Sequence, residues 1–353
     1  IVAMAFAAPA LADTPAQLRA EADRLEMAEQ RAEMTKALVR DVLADADSRA
    51  MFQGSNSPVT VNVHGFAQTR YSYNSGGGVE ANHGFGLPAV RLILEGDVYG
   101  VGYKVSGQWS DDTNQFELKD AYGTFGLAGL DFKFGQFKTA FMREWNIDRQ
   151  DTLMADRSIV AYTFGQGWSQ GTEIGKDFGR FDFRASYTDG FNTANGAGVQ
   201  NGQAGTARFG YDLFDWCNVG AAISYNDLVT SDYLTYTVDT KVSSGALDLT
   251  AAFVATSGDA GDNWGSTVQA GYMCMEDLQG FVAYEYGELE GVQDNLSVFT
   301  VGGNYFLNDN VKWTTDFGYA LNGINGAWDL GETGWRAGDS GEYIVRTQIQ
   351  VSF

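Results

Sequence analysis

Large apolar side chains and polar ones alternate with a period of two along most of this chain, most plainly at its C-terminal end. From Tyr343 to Phe353 one phase holds Tyr343, Val345, Thr347, Ile349, Val351 and Phe353, and the other holds Arg346, Gln348, Gln350 and Ser352. Successive side chains of a strand take opposite faces, so one face of this segment suits lipid and the other suits water. The same grammar begins at Val59. Val61, Val63, Ala67, Thr69 and Tyr71 share its phase, while Thr60, Asn62, His64, Gln68, Arg70 and Ser72 take the other. Read throughout, the pattern predicts strands near 59–73, 88–97, 101–110, 116–126, 131–138, 171–178, 180–188, 204–212, 217–226, 234–242, 246–256, 264–274, 278–287, 296–306, 311–321 and 342–353. Bacterial single-chain barrels have an even number of strands. The expected fold is therefore all-β, a sixteen-stranded antiparallel transmembrane β-barrel over residues 59–353.

The connections support this independently. With a periplasmic N-terminus the odd connections are outer loops, and these include the long segments 74–87, 139–170, 189–203 and 322–341. The even ones shrink to 126–129, Gly179 or 243–245. Long loops at one end and short turns at the other are the habit of such barrels. The four-strand repeat of a soluble propeller is not visible.

Before Val59 the pattern changes. Residues 1–12, ending in Ala10-Leu11-Ala12, read as the residue of a signal peptide with a small-x-small cleavage site, which implies export. Thr14-Pro15-Ala16-Gln17 is a capping box with Pro in the first turn, and residues 13–50 are predicted as a periplasmic helix. Leu18, Leu25, Ala32, Val39 and Ala46 recur every seven residues, a weak heptad that suggests a short coiled coil, with a lone helix under the barrel as the alternative. Residues 51–58, with Gly54, Ser55, Asn56 and Ser57, read as the linker.

Composition narrows the class. After the N-terminus no apolar run is long enough for a transmembrane helix, while 44 Gly, 23 Phe and 17 Tyr suit a wall with a greasy outside and a wet inside. The net charge of −22 argues against nucleic acid as a partner. It is uneven: residues 131–210 carry 9 basic and 9 acidic groups, whereas residues 211–353 carry 4 and 20. Solvated outer loops account for most of that acid, and any share that lines the lumen predicts a modest preference for cations. The two cysteines, Cys217 and Cys274, fall on strands too far apart in the wall to bridge, so both are expected to be unpaired.

The third outer connection, 139–170, is far longer than a hairpin loop and richer in chemistry. With Lys138 at its entrance it carries Arg143, Glu144, Asp148, Arg149, Asp151, Asp156 and Arg157 among Phe141, Trp145, Ile147, Leu153, Met154, Ile159 and Tyr162. So many apolar side chains predict a loop folded against something rather than a surface lid.

Four motifs resemble the phosphate-selective porins O and P. They are Phe134-Gly135-Gln136-Phe137-Lys138-Thr139-Ala140-Phe141, Met154-Ala155-Asp156-Arg157-Ser158, Gly171-Thr172-Glu173-Ile174-Gly175 and Asp189-Gly190-Phe191-Asn192. The chain departs from that family at Ala140 and Asp156, where Pro and Glu are favoured. The resemblance is specific over about 131–192. It implies a trimeric sixteen-stranded channel in the bacterial outer membrane, with the third loop bent inward to narrow the pore. The terminal Phe353, with Tyr343, similarly resembles the signal read by the barrel-assembly machinery.

Basic residues of the wall cluster in its first half: Arg70, Arg91, Lys104, Lys133, Arg180, Arg184 and Arg208 fall on or close to the lumenal phase. On neighbouring strands they form an expected ladder that sets a transverse field with acids across the pore. Gln at positions 70 and 91 is expected to weaken that field and leave the fold intact. Acids within loop 139–170 argue against a site dedicated to phosphate.

Enzyme chemistry is not indicated. His64 and His83 stand near no nucleophile, the Gly-rich stretches lack the strand-to-helix setting of a phosphate loop, and no cofactor or metal is expected. Asp259, Asp262 and Asn263, or Glu332 and Asp339, lack the fixed spacing of a calcium loop. The sequence thus favours a passive porin for small hydrophilic solutes. A phosphate or anion-selective porin is the alternative, as is a structural barrel tethered to the cell wall through its N-terminal helix.

Overall fold

The computed structural model describes residues 59–78, 80–110, 114–196, 202–228 and 231–353. The expected signal peptide, helix and linker lie outside them. Sixteen antiparallel strands close into one barrel, each bonded to its neighbours in chain order. They are β1 (Val59–Asn74), β2 (Asn82–Val98), β3 (Val101–Ser110), β4 (Gln115–Leu127), β5 (Leu130–Lys138), β6 (Trp168–Asp177), β7 (Phe181–Thr188) and β8 (Gln203–Phe214). The second half comprises β9 (Cys217–Leu228), β10 (Ser231–Ser244), β11 (Leu247–Gly258), β12 (Asn263–Met273), β13 (Leu278–Glu288), β14 (Leu296–Asn308), β15 (Val311–Ala320) and β16 (Tyr343–Ser352). All of these strands were legible in the alternation, and only their ends differ.

Closure joins β1 to β16 from Phe66 opposite Ser352 to Asn74 opposite Ile344. Two bonds of 3.0 Å between the backbones of Gly65 and Phe353 complete the seam. Along β16 the pleat sorts the side chains as the sequence requires. Arg346, Gln348 and Gln350 are buried inward, and Val345, Ile349 and Val351 are exposed on the outer wall. Aromatic side chains gather near both ends of that wall. Phe214 stacks on Trp216 at 4.9 Å beside the short turns, and Trp264 meets Tyr286 at 5.5 Å beside the long loops. Such paired belts mark the two interfaces of a bilayer.

The short turns are tight. Tyr99-Gly100 and Ala128-Gly129 each place both residues at positive φ, the geometry of a two-residue turn matched to strand twist.

Two expected loops are shorter than the sequence suggested. β2 begins at Asn82 because Phe85 packs against Tyr71 at 5.0 Å and His83 stacks on Tyr73 at 6.4 Å, extending the hairpin beyond the wall. β6 begins at Trp168, paired with Lys138, so the third loop runs over 139–167. Both cysteines are free: Cys217 starts β9, and Cys274 lies just past β12.

Candidate functional site

Loop 139–167 folds into the barrel. Leaving β5, the chain buries Phe141 and Met142, turns through α1 (Arg143–Asn146) and a 3-10 turn (Arg149–Asp151), and returns through α2 (Ile159–Phe164). Ser158 caps α2, its hydroxyl accepting from the Ala161 N–H at 2.9 Å. The apolar residues of the loop, Phe141, Met142, Ile159, Val160, Ala161 and Phe164, form one buried cluster with the inward residues Ala222, Val254, Leu296, Val298, Ala320 and Ile344. The inner wall is thus apolar where the loop lies and polar elsewhere, and burial of that patch holds the loop to β9–β16.

Its polar edge is fixed by ion pairs. Asp156, fully buried, accepts from Arg70 Nη1, Arg149 Nη2 and the Tyr162 hydroxyl, each at 2.8 Å. Burial by itself pushes this carboxyl up, but Arg149, Arg70 and Arg346 outweigh it and hold Asp156 well below the usual carboxylate range. Arg70 donates further to Gln348 at 2.9 Å and to the carbonyls of Ala155 and Glu332. Next to it Arg346 grips Asp316 with two bonds of 2.7 and 2.9 Å, and Asp316 accepts the Ala155 N–H at 3.0 Å. Glu144, half-buried on α1 of the loop itself, accepts from the Ser158 N–H and hydroxyl at 2.8 Å, and desolvation keeps its carboxyl above the ordinary value.

A second loop, 321–342, also folds inward, which the sequence did not foresee. Ile324, Trp328 and Trp335 are buried in the same apolar cluster, with Trp328 edge-on to Phe164 at 6.2 Å. Glu332 pairs with Arg149, and the Asp329 N–H donates to Thr163 Oγ1 at 3.1 Å. Gly331, at φ +49°, sits so close to Tyr162 that a Cβ would fall 2.3 Å from its ring. The signal of this in the sequence is the pair of tryptophans, with Ile324 and Leu330, in a loop rich in Gly, Asp and Asn.

The loop leaves polar space on two sides. A cavity of about 500 Å³ beside β3–β8 is lined by Lys104, Lys133, Lys138, Arg143, Arg184 and Arg208, with Asp120, Asp148, Glu173 and Asp182 among them. One of about 510 Å³ toward β10–β16 is lined by Glu144, Asp151, Asp156, Asp248 and Asp309 against only Lys241 and Lys312. Of the expected ladder, Lys104, Lys133, Arg184 and Arg208 therefore share one cavity. Lys133 meets Glu173 at 2.7 Å, Arg184 meets Asp177 at 2.8 Å, and Arg208 shares Asp239 with Arg143. Three residues depart from the ladder. Arg70 is consumed in the Asp156 network, and Arg91 is buried beneath Trp168. Arg180 belongs to the turn between β6 and β7, where an exposed pair with Asp215 at 3.5 Å holds it outside the lumen. Asp239, Asp316 and Arg346 were missed, although all three stand on the polar phase of expected strands.

Among the described residues no cluster of three or more His, Cys, Asp or Glu is arranged to hold a metal. Asp259 and Asp262 instead accept from neighbouring backbone and hydroxyl groups. His64 lies 3.2 Å from Glu95 on the inner wall.

Among solved structures the chain is similar to an anion-selective porin from Comamonas acidovorans, with TM-score 0.65 and 15% identity over 84% of this chain and 100% of that one. It is similar to Salmonella typhi OmpF in complex with daunomycin, with TM-score 0.65 and 13% identity over 83% and 97%. Third is in-vitro folded OmpT of Vibrio cholerae in a trimer form, with TM-score 0.61 and 13% identity over 84% and 99%. At such identities the likeness is one of fold. No curated protein matches the chain in sequence. A family model described as Gram-negative porin, however, matches residues 1–325. With the closed barrel and its inward third loop, that match makes the chain a member of the Gram-negative porins, passive channels of the outer membrane.

Proposed function

We propose that this porin is a homotrimer whose lumen passes small hydrophilic solutes and ions, narrowed by loop 139–167 between a cation-rich and an acid-rich side. The observation that carries this reading is the seating of the loop. One apolar face is buried against β9–β16, and its edge is fastened by Asp156 to Arg70 and Arg149, which leaves polar cavities on either side. Groups of opposite sign across a constriction set a field that orients dipolar solutes. Trimer assembly is supported by the trimer form of the Vibrio cholerae relative. The preference proposed is a modest one for cations, since Glu144, Asp151, Asp248 and Asp309 face two bases on the acid-rich side once Asp156 is spent on Arg70 and Arg149.

The phosphate-selective O/P type is a second reading, favoured by the six cations of the other cavity. Four carboxylates among those cations weigh against it, because they compete with an oxyanion for the same donors. Recording from the full chain in planar bilayers tests both. Steady ohmic conductance without an energy source is expected, with a reversal potential in a salt gradient on the cation side. A strongly anion-selective potential would transfer the proposal to the second reading, and no conductance at all would remove the pore.

A further inference from the structure

Among the described residues Arg91 is the buried arginine with the fewest partners. It is 3% exposed, its Nε has no hydrogen-bond partner, and its nearest carboxylate oxygen, on Asp148, stands 3.9 Å away. Among the described residues its guanidinium makes no hydrogen bond. A buried guanidinium carries five donors and no acceptor, and burying it unpaired is costly. The neighbourhood adds further donors instead of acceptors. The Arg91 guanidinium lies over the Trp168 ring at 5.2 Å, and Lys138 Nζ lies over the same ring at 4.7 Å. Among the described residues Lys138 Nζ donates to the Trp145 carbonyl alone, at 3.0 Å. Arg157 lies over the Trp145 ring at 5.0 Å, its Nε unpaired, and the Trp145 indole N–H is unpaired too. Arg157 donates from Nη2 to the Ile147 carbonyl at 2.6 Å, so the unpartnered donors around the two rings are Arg91 Nε, Arg157 Nε and the Trp145 indole N–H.

Arg91 and Lys138 face two acids, Asp120 and Asp148, while Arg157 faces Asp156 and Glu144 within the loop. Asp120 is already engaged by the Ser106 hydroxyl at 2.6 Å and the Trp168 indole at 2.9 Å. Asp156 and Glu144 are themselves taken up by Arg70, Arg149 and Ser158, and every orphaned atom around the two rings is a donor. A ligand that only accepts and is small enough to lie beside indole rings matches those donors. We propose that a small monovalent inorganic anion, chloride in ordinary salt, binds among Arg91, Lys138 and Arg157 beside Trp145 and Trp168. Seated there it satisfies the buried donors and ties β2 and β5 to the third loop. This site does not depend on whether the lumen conducts.

The test uses the full chain in detergent. Crystals soaked in sodium bromide should give an anomalous peak within hydrogen-bonding reach of Arg91 and Lys138. The unfolding midpoint at fixed scan rate should rise with the logarithm of chloride concentration when sodium gluconate holds ionic strength constant, as binding to the folded state alone requires. Arg91→Gln should lose both signals. Lys138→Gln should weaken both, and it serves as the reporter if Arg91→Gln does not give the compact heat-modifiable form on a gel. A bromide peak elsewhere but none here, equal midpoints in the two salts, or signals unchanged in both variants would overturn the site.

Discussion

The two sides of this barrel's interior are built on different principles. Against β9–β16 loops 139–167 and 321–342 bury a common apolar cluster beside the acid-rich cavity, and the charges along its edge are paired within the protein. The half along β3–β8 holds an open cavity in which Arg184 reaches Asp177, whose side chain is 64% exposed, while Lys133 and Arg208 reach the buried Glu173 and Asp239. Charge at the edge of the loop cluster therefore serves to hold a loop, and Lys104 and Arg184 in the open half stay available to solutes. The 20 acids of residues 211–353 thus overstate the lumenal field. Asp316 spends its charge on Arg346, and Glu332 on Arg149.

The sharpest way to break the contrast is to remove the acid that fastens the loop. Asp156→Ala leaves Arg70 and Arg149 buried with their shared partner gone, which should cost about 3–5 kcal/mol, the range for breaking a buried pair. In bilayers the freed loop should turn a steady current into a noisy one. A stability loss below about 1 kcal/mol, the scale of an exposed pair, would mean the loop is held by its apolar face alone. Next in size, Trp328→Ala should cost about 3 kcal/mol through the cavity it opens against Phe164. Limited proteolysis should then cut within 321–342 before it cuts anywhere in 139–167. Simultaneous cutting of both loops would show that they move as one body.

Protonation offers a third test. Asp156 is held below its ordinary value, so its anchoring is fully present above about pH 3.9 and is lost only as pH falls through the depressed value. Glu144 is raised, so the folded loop favours its protonated form. Ionisation then erodes stability as pH rises from about 4.3 through the raised value. Glu144→Gln should flatten the upper part of that profile, measured as unfolding midpoint against pH, and leave the acid limb in place. An unchanged profile would place the titration elsewhere.

The smallest effect belongs to the open half. Lys104→Gln with Arg184→Gln should change stability by less than about 1 kcal/mol, because their pairs are partly exposed. At low salt the reversal potential should nonetheless move further toward cations. Arg70 and Arg91 cannot serve for this, contrary to the expectation from the sequence. Gln at position 70 would strip the Asp156 network, and Gln at 91 would remove a buried cation. A potential that ignores Lys104 and Arg184 would mean the cation-rich cavity lies off the conducting path.

The alternation of residue types was enough to determine the barrel. A strand's choice of face is local, and the membrane imposes the same outside on all sixteen strands, so each segment carries its own record of which way it points. Lumenal phase was legible for the same reason, as Lys104, Lys133 and Arg208 show. What those side chains meet was decided only by the tertiary structure. Arg70 and Lys104 stand on the same phase, yet one is buried against Asp156 and the other faces an open cavity. That difference comes from where loop 139–167 comes to rest, which is set by apolar positions on β9–β16 and by loop 321–342, more than 150 positions further along the chain. No period in the sequence encodes a contact between two irregular loops. Packing and charge neutralisation inside a closed wall select it, and they act only once the wall exists.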